Sequence, residues 1–193
     1  MLHTLFNSLP KIRILQVLLA KPDEIFSIGD IVGKARTQRA VATKALRHMI
    51  KNGVVLKIKI ASNKKTEYGY QIDETFILFN ELRALFLKSQ LLMEGDLVKQ
   101  VKKMGGVMLI VLTGIFTGGH TDSPTDVLIV GKVNKKRVEK LINSFEKKIN
   151  IDIRYTVMSS TEYKYRKDIT DRFLYSILEG NKIVVVDKLN ESF

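Results

Sequence analysis

The 193-residue sequence contains no cysteine, no tryptophan and only 3 prolines. The lack of cysteine excludes disulfides, thiolate zinc sites and thiol nucleophiles, and it suits a reducing compartment. Apolar residues make up 45% of the chain, which is enough to bury a core. The length allows one large domain or two small ones.

Long hydrophobic runs are also absent. No apolar stretch approaches the roughly 18 residues of a membrane span. Lys11 and Arg13 interrupt the apolar residues of the first twenty positions, so that segment does not have the pattern of a signal peptide. We therefore expect a cytoplasmic protein with no membrane partner.

Acidic residues are scarce: 20 Asp and Glu face 32 Lys and Arg, giving a net charge of +12. The shortage is concentrated between Asp30 and Glu67, where there is no acidic residue. A solvated surface usually mixes both signs of charge, so this segment indicates a polyanionic partner. Its ten basic residues are Lys34, Arg36, Arg39, Lys44, Arg47, Lys51, Lys57, Lys59, Lys64 and Lys65.

The first 73 residues predict three helices and a hairpin. Ser8 and Ser27 are suited to cap the first two helices, and Gly33 is expected to close the second. A third helix is predicted from Thr37 to Asn52-Gly53, where the left-handed residue of a C-cap would end it. Its apolar residues recur at helical spacing and are expected to face inward. They are Val41, Ala45, Leu46, Met49 and Ile50.

The segment after the third helix alternates with period two. Apolar side chains occupy every second position from Val54 to Ile60, as in a half-buried strand. Ser62–Lys65 predicts a turn and Thr66–Ile72 the return strand.

This order of elements resembles the winged helix-turn-helix of transcription regulators, over residues 5–73. The resemblance implies that the third helix enters the major groove of double-stranded DNA while the hairpin wing meets the flanking backbone. Arg and Gln on that helix suit guanine and adenine, and lysines on the wing suit phosphates. The predicted DNA-binding residues are Arg36, Thr37, Gln38, Arg39, Thr43, Lys44 and Arg47, with Lys57, Lys59, Lys64 and Lys65 on the wing.

A long helical segment is predicted after Asp73, from Glu74 to about Met104, with a domain boundary between Lys88 and Gly95. Its apolar stripe suits packing on the wing, on a second copy or in the core. The domains are then 1–90, a winged helix with a linker helix, and 91–193. We expect a homodimer that presents two recognition helices to DNA half-sites about 34 Å apart.

The second half has the pattern of an α/β domain with a short mixed sheet. Val107–Thr113 and Asp126–Val130 are continuous apolar runs, typical of strands buried on both faces. Asn134 is expected to cap a helix, and a third strand is predicted over Ile149–Met158. Two further helices, from Ser159 or Ser160 and over Arg172–Leu178, precede a last strand at Ile183–Val186. The fold class is therefore α/β, or α+β overall when the winged helix is included.

The stretch "LTGIFTGGHTDSPTDVLIVGKV", followed by "INIDIRYTVMSSTEYKYR", resembles the minimal nucleotidyltransferase domain over about residues 96–187. That family has a Gly-Ser pair, another glycine, and a strand that opens Ser-Asp-x-Asp. The resemblance implies that the glycines admit a nucleotide triphosphate. It also implies that two aspartates and a third acid hold two metal ions. Gly114 and Gly119 match the glycines of the pattern, and Asp126 matches one aspartate. The candidate nucleotide-binding residues are Gly114, Gly118, Gly119 and Asp126.

This chain departs from the family pattern at the residues that perform the chemistry. Ile115 stands in place of the phosphate-binding serine, and Pro124 stands in place of the first metal ligand. Arg154 stands in place of the third acid, for which nearby Asp152 is a displaced substitute. One acid of three cannot assemble a two-metal site. We therefore expect no enzyme activity, no cofactor and no metal.

The sequence favours a DNA-binding transcriptional regulator whose second domain is a pseudo-nucleotidyltransferase. That domain would serve oligomerisation, a protein partner or a nucleotide ligand. One alternative is an active, metal-dependent nucleotidyltransferase that holds its substrate with the winged helix. Another is an antitoxin-type protein that neutralises a partner toxin.

Overall fold

A computed structural model gives the fold and describes residues 8–60, 67–93, 96–118 and 123–189. The chain divides into two compact units, Met1–Phe79 and Asn80–Phe193. The sequence predicted a later boundary, between Lys88 and Gly95. The division falls earlier because Leu87 and Leu91 belong to the core of the second unit.

The first unit begins with helix α1 (Leu9–Ala20), strand β1 (Phe26–Ser27), helix α2 (Ile28–Ala35) and helix α3 (Arg39–Lys51). A hairpin of β2 (Val55–Ile60) and β3 (Glu67–Ile72) follows. The sheet order is β1-β3-β2 and both pairings are antiparallel. This is the winged helix-turn-helix arrangement predicted from the sequence.

The caps of the first two helices agree with the sequence, apart from the end of α2. Ser8 accepts a hydrogen bond from Lys11 N, and Ser27 forms a capping box with Asp30. Helix α2 continues through Gly33 to Ala35 and ends at Arg36, whose φ is +48°. The prediction that Gly33 closes the helix is therefore wrong, because the left-handed cap lies three residues later.

The Ser27–Asp30 contact predicts a pH-dependent stability of the first unit. The Asp30 carboxylate accepts from Ser27 Oγ at 2.6 Å and from Ser27 N at 3.0 Å. These bonds lower the pKa of Asp30 from its ordinary 3.8. The contact therefore stabilises the folded state above the unfolded pKa, and this contribution is lost as the pH falls through the folded pKa. Ser27→Ala should destabilise the protein more at about pH 6 than at about pH 3 in urea unfolding.

Ser8→Ala is the matched control for this measurement. The Ser8 hydroxyl also caps a helix, by accepting from Lys11 N at 3.4 Å. Among the described residues, no carboxylate bonds to this hydroxyl. We expect its effect to be the same at both pH values. An equally pH-independent effect of Ser27→Ala would contradict the role assigned to Asp30.

The helical segment after the wing is shorter than predicted. Asp73 accepts hydrogen bonds from the backbone N–H and hydroxyl of Thr75, so residues 74–78 form turns. Helix α4 (Phe79–Met93) therefore begins five residues after Glu74, where the sequence predicted a helix start. Helix α5 (Asp96–Lys103) follows, and residues 94 and 95 between the two helices lie outside the described residues.

The second unit contains a four-stranded mixed sheet in the order β6-β5-β4-β7. Its strands are β4 (Val107–Leu112), β5 (Val127–Gly131), β6 (Tyr155–Met158) and β7 (Ile183–Asp187). Only β5 and β6 are parallel. A 3₁₀ turn at Gly114–Phe116 follows β4, and helices α6 (Lys135–Ile149), α7 (Ser160–Asp168) and α8 (Arg172–Glu179) complete the unit.

Apolar side chains fill both faces of this sheet. Ile110 and Ile129 pack with residues of α4, α5 and α6, whereas Leu109 and Leu128 pack with residues of α7 and α8. The alternation of strand side chains therefore explains why the runs in β4 and β5 are apolar throughout. The predicted strand over Ile149–Met158 is confirmed only from Tyr155, because α6 extends to Ile149 and ends at the left-handed Asn150.

Candidate functional site

Helix α3 buries one narrow stripe against the first unit's core. The stripe consists of Ala42, Ala45, Leu46 and Met49, at i, i+3, i+4 and i+7. The sequence predicted Val41 to face inward, but 38% of it is exposed. Ala42 is fully buried instead, while Ala45, Leu46 and Met49 are buried as predicted. The small side chain of Ala42 leaves room for a neighbouring helix.

The exposed residues of α3 include a second set, opposite the buried stripe. Ala40, Thr43, Lys44 and Arg47 are exposed and repeat the same i, i+3, i+4, i+7 spacing. We call these four residues the outward face. Ala40 was not predicted from the sequence, although the spacing of Thr43, Lys44 and Arg47 was a signal that could have found it. Of the other predicted DNA-binding residues near the start of α3, Arg36, Gln38 and Arg39 are exposed and Thr37 is half-buried.

The turn between α2 and α3 brings a distant cation to this site. Exposed Arg13, on α1, donates from Nη1 to the carbonyl oxygen of Arg36 at 3.5 Å, across 23 residues of sequence. Arg13 was not predicted as a site residue, because only the packing of α1 against α2 and α3 places it there. The guanidinium of Arg13 therefore adds positive charge next to the start of α3.

The charges of α3 are not neutralised by nearby acids. Glu24 lies 3.3 Å from Lys21 and 3.8 Å from Lys34, measured between oxygen and nitrogen. Asp30 is bonded to Ser27. Among the described residues, no carboxylate lies within ion-pair distance of Arg39, Lys44 or Arg47. The outward face thus keeps its positive charge for an external anion.

The wing carries further exposed cations next to an aromatic ring. Lys57 and Lys59 on β2 are exposed, and the Nζ of Lys57 lies 3.8 Å from the ring centre of Tyr68 on β3. Register pairs Lys59 with Tyr68, so these side chains share one face of the hairpin. Lys64 and Lys65 lie outside the described residues.

The burial of β2 agrees only in part with the sequence prediction, since Ile58 is half-buried and Lys57 and Lys59 are exposed as expected, but Val55 is buried. Val55 is buried and shares its face with Lys57 and Lys59, whereas Leu56 and Ile60 are 43% and 37% exposed. The buried side of the sheet is set by Val55, Ile72 and Phe26, which reach the helices. On the other face, Leu56 and Ile60 are thus partly open to solvent and Ile58 is half-buried.

In the second unit, a cluster around the Asp126 carboxylate occupies the position predicted for nucleotide binding. Asp126 is 1% exposed and precedes β5. Its Oδ1 accepts from Arg154 Nη2 at 2.9 Å and from Ile115 N at 3.2 Å. Its Oδ2 accepts from Arg154 Nε at 3.1 Å and from Arg154 N at 2.9 Å. Four donors therefore surround this carboxylate.

The other residues predicted for this site are placed as follows. Gly114 has a φ of +53° and lies so close to Asp126 that a Cβ at this position would be 2.2 Å from Oδ1. Gly118 has a φ of +72°, and a Cβ there would be 3.5 Å from the carbonyl oxygen of Asn80. Gly119 lies outside the described residues. Asp152, considered as a displaced third acid, is exposed.

The Asp126 cluster holds a cation of its own. Arg154 pairs with Asp126 through two parallel hydrogen bonds. The bond to Asp126 raises the pKa of Arg154 above its usual value, so the guanidinium stays charged. Among the described residues, no three Asp, Glu or His side chains form a group that could hold a metal ion.

Comparisons with known proteins identify no family for this chain. No protein-family model matches the chain, and no curated protein does. Within the described parts, no helix is both long and apolar enough to cross a membrane. Among solved structures, the chain is similar to a zinc-responsive MarR family member, ZitR of Lactococcus lactis, at 16% sequence identity with a TM-score of 0.36. The matched part spans 47% of this chain and 60% of that one.

Proposed function

We propose that this protein is a DNA-binding transcriptional regulator that reads double-stranded DNA with helix α3. The observation that carries the proposal is the outward face, Ala40, Thr43, Lys44 and Arg47, exposed on the third helix of a winged helix-turn-helix. In that fold, the exposed side of the recognition helix enters the major groove.

The charge distribution supports this proposal. A protein that binds DNA neutralises phosphates with Lys and Arg and releases counterions. Arg13, Arg36 and Arg39 lie on α1 and at the start of α3, where backbone phosphates flank a bound recognition helix. Lys57 and Lys59 extend the cationic surface along the wing. Lys64 and Lys65 are proposed to continue it.

We further propose that the second unit is a degenerate nucleotidyltransferase-like domain without catalysis, serving oligomerisation, a protein partner or a nucleotide ligand. The support is the pairing of Asp126 with Arg154. A catalytic site of that family uses acids at such positions to hold two metal ions. Here the single remaining acid is buried and bonded to a cation. A resident guanidinium competes with a metal ion for the same oxygens.

The test is a fluorescence-anisotropy titration of a random-sequence DNA duplex with the whole chain at several salt concentrations. We expect the logarithm of the affinity to fall linearly with the logarithm of the salt concentration. The double variant Lys44→Ala/Arg47→Ala should weaken binding by about tenfold or more. Its salt slope should be lower by about one for each phosphate that the variant no longer neutralises.

The matched control removes the same charge from the second unit. Lys164 and Lys167 are exposed on α7, and Lys164→Ala/Lys167→Ala changes the net charge by the same amount. This control should bind the duplex nearly as well as the wild type. Equal losses of affinity in the two double variants would contradict the assignment of α3, and absence of salt-dependent binding would contradict the proposed function.

A further inference from the structure

The outward face combines two kinds of side chain. Its first half carries Ala40 and Thr43, which present methyl groups, and its second half carries the cations Lys44 and Arg47. Ala40 and Thr43 are three residues apart and thus neighbours on the helix surface. A small apolar patch therefore lies at the N-terminal end of a strongly basic surface.

The hydroxyl of Thr43 is already engaged. Its Oγ1 donates to the carbonyl oxygen of Arg39, one turn earlier, at 2.8 Å. A hydroxyl has a single hydrogen to donate, so Thr43 has no donor left for a base. What it offers a partner is its methyl group and an oxygen lone pair. Ala40 offers only a methyl group.

The floor of the major groove carries one apolar group, the C5-methyl of thymine, and Ala and Thr methyls contact it. Residues near the N-terminus of a recognition helix are those that reach base edges. We infer that Ala40 and Thr43 form a thymine-reading site, so that the preferred DNA carries a thymine where the N-terminal end of α3 meets the groove. This inference rests on the proposed function.

The neighbouring cations set the context of that thymine. Lys44 lies four residues after Ala40, and Arg47 lies four residues after Thr43, so each cation follows a methyl-bearing residue on the helix surface. Both cations suit guanine O6 and N7 or a phosphate. The small side chains of Ala40 and Thr43 allow the backbone of α3 to approach the bases closely.

The experiment first selects bound duplexes from a random-sequence DNA library with the whole chain. Each thymine of a selected duplex is then replaced by deoxyuridine, which removes only the C5-methyl group. At one or more positions we expect the affinity to fall by about three- to fivefold, the effect of one buried methyl group. Thymines elsewhere in the duplex should tolerate the replacement.

Two variants assign the effect to Thr43. Thr43→Ser keeps the hydroxyl and removes the methyl group, so the difference between thymine and deoxyuridine should become smaller at one position. Thr43→Val keeps a methyl group and removes the hydroxyl, so the difference should persist. Both changes are at an exposed position, and thermal unfolding of each variant checks that the fold is retained.

The outcomes separate this inference from the proposed function. If the chain enriches duplexes and binds them in a salt-dependent way, but no deoxyuridine changes the affinity, the thymine-reading site is wrong and DNA binding stands. The same conclusion follows if Thr43→Ser keeps the full sensitivity to deoxyuridine at every position. If no duplex binds, both the proposed function and this inference are overturned.

Discussion

Replacing Gly114 with alanine is expected to destabilise the second unit by about 3–5 kcal/mol. A non-glycine residue at a φ of +53° is strained by about 1–2 kcal/mol. The new Cβ would also lie 2.2 Å from Asp126 Oδ1 and 3.3 Å from Arg154 Nη2. The buried carboxylate would have to move and give up hydrogen bonds, each of which contributes about 1.5–3 kcal/mol when a charge is involved. Urea unfolding measures the decrease in stability.

Gly105→Ala is the matched control for that strain. Gly105 has a φ of +73° in the same unit, but no atom lies within 4 Å of a Cβ built there. Its replacement should therefore cost only the backbone strain, about 1–2 kcal/mol. If Gly114→Ala and Gly105→Ala lowered the free energy of unfolding equally, the Asp126 cluster would rearrange at no free-energy cost. The close approach of Gly114 to Asp126 would then not matter for stability.

Replacing Arg154 with methionine is expected to destabilise the second unit by about 2–4 kcal/mol. Methionine has a side chain of similar reach but no charge, so the 2% exposed carboxylate of Asp126 would be left with two backbone donors. Removing one partner of a buried ion pair lowers the free energy of unfolding because the remaining charge stays buried without a counter-ion. Since 46% of the Arg154 side chain is exposed, water moderates this destabilisation.

The partly exposed pair between Arg166 and Glu162, in which Arg166 also lies 3.4 Å from Asp171, provides the comparison. Their side chains are 35% and 42% exposed, and they lie four residues apart on α7. Arg166→Met should cost less than about 1 kcal/mol, as for surface ion pairs in general. The double variant Asp126→Asn/Arg154→Met should recover part of the stability that Arg154→Met removes, because no buried charge remains. If Arg154→Met were as mild as Arg166→Met, Arg154 would not act as the counter-ion of Asp126.

Local chemistry determined much of the first unit before any packing was considered. Ser8 and Ser27 cap their helices because a serine before an apolar repeat accepts a free backbone N–H. Gly53, with a φ of +70°, lies just beyond the end of α3, as the Asn-Gly pair predicted. The acid-free segment was also visible in the sequence, since charge is a property of composition. These features depend on neighbours within a few residues.

Local sequence also predicted the strands and helix caps of the second unit. Apolar runs at Val107–Leu112 and Val127–Gly131 became strands covered on both faces. Asn134 and Ser159 cap α6 and α7 as expected. The sequence did not predict that Arg154 would donate two side-chain hydrogen bonds to the Asp126 carboxylate.

Tertiary structure decided which sides of these elements face the core. Periodicity assigned Val41 to the interior of α3, but the interior position belongs to Ala42, because only packing between helices favours the smaller side chain. In β2, alternation alone could not tell which of the two faces meets the helices, and the face of Val55 does. Arg13 and Arg36 are brought together across 23 residues of sequence. The sequence by itself therefore determined the elements, the charge and the chemistry available. Contacts between distant residues decided which of Val41 and Ala42 is buried on α3, and they placed Arg13 beside Arg36.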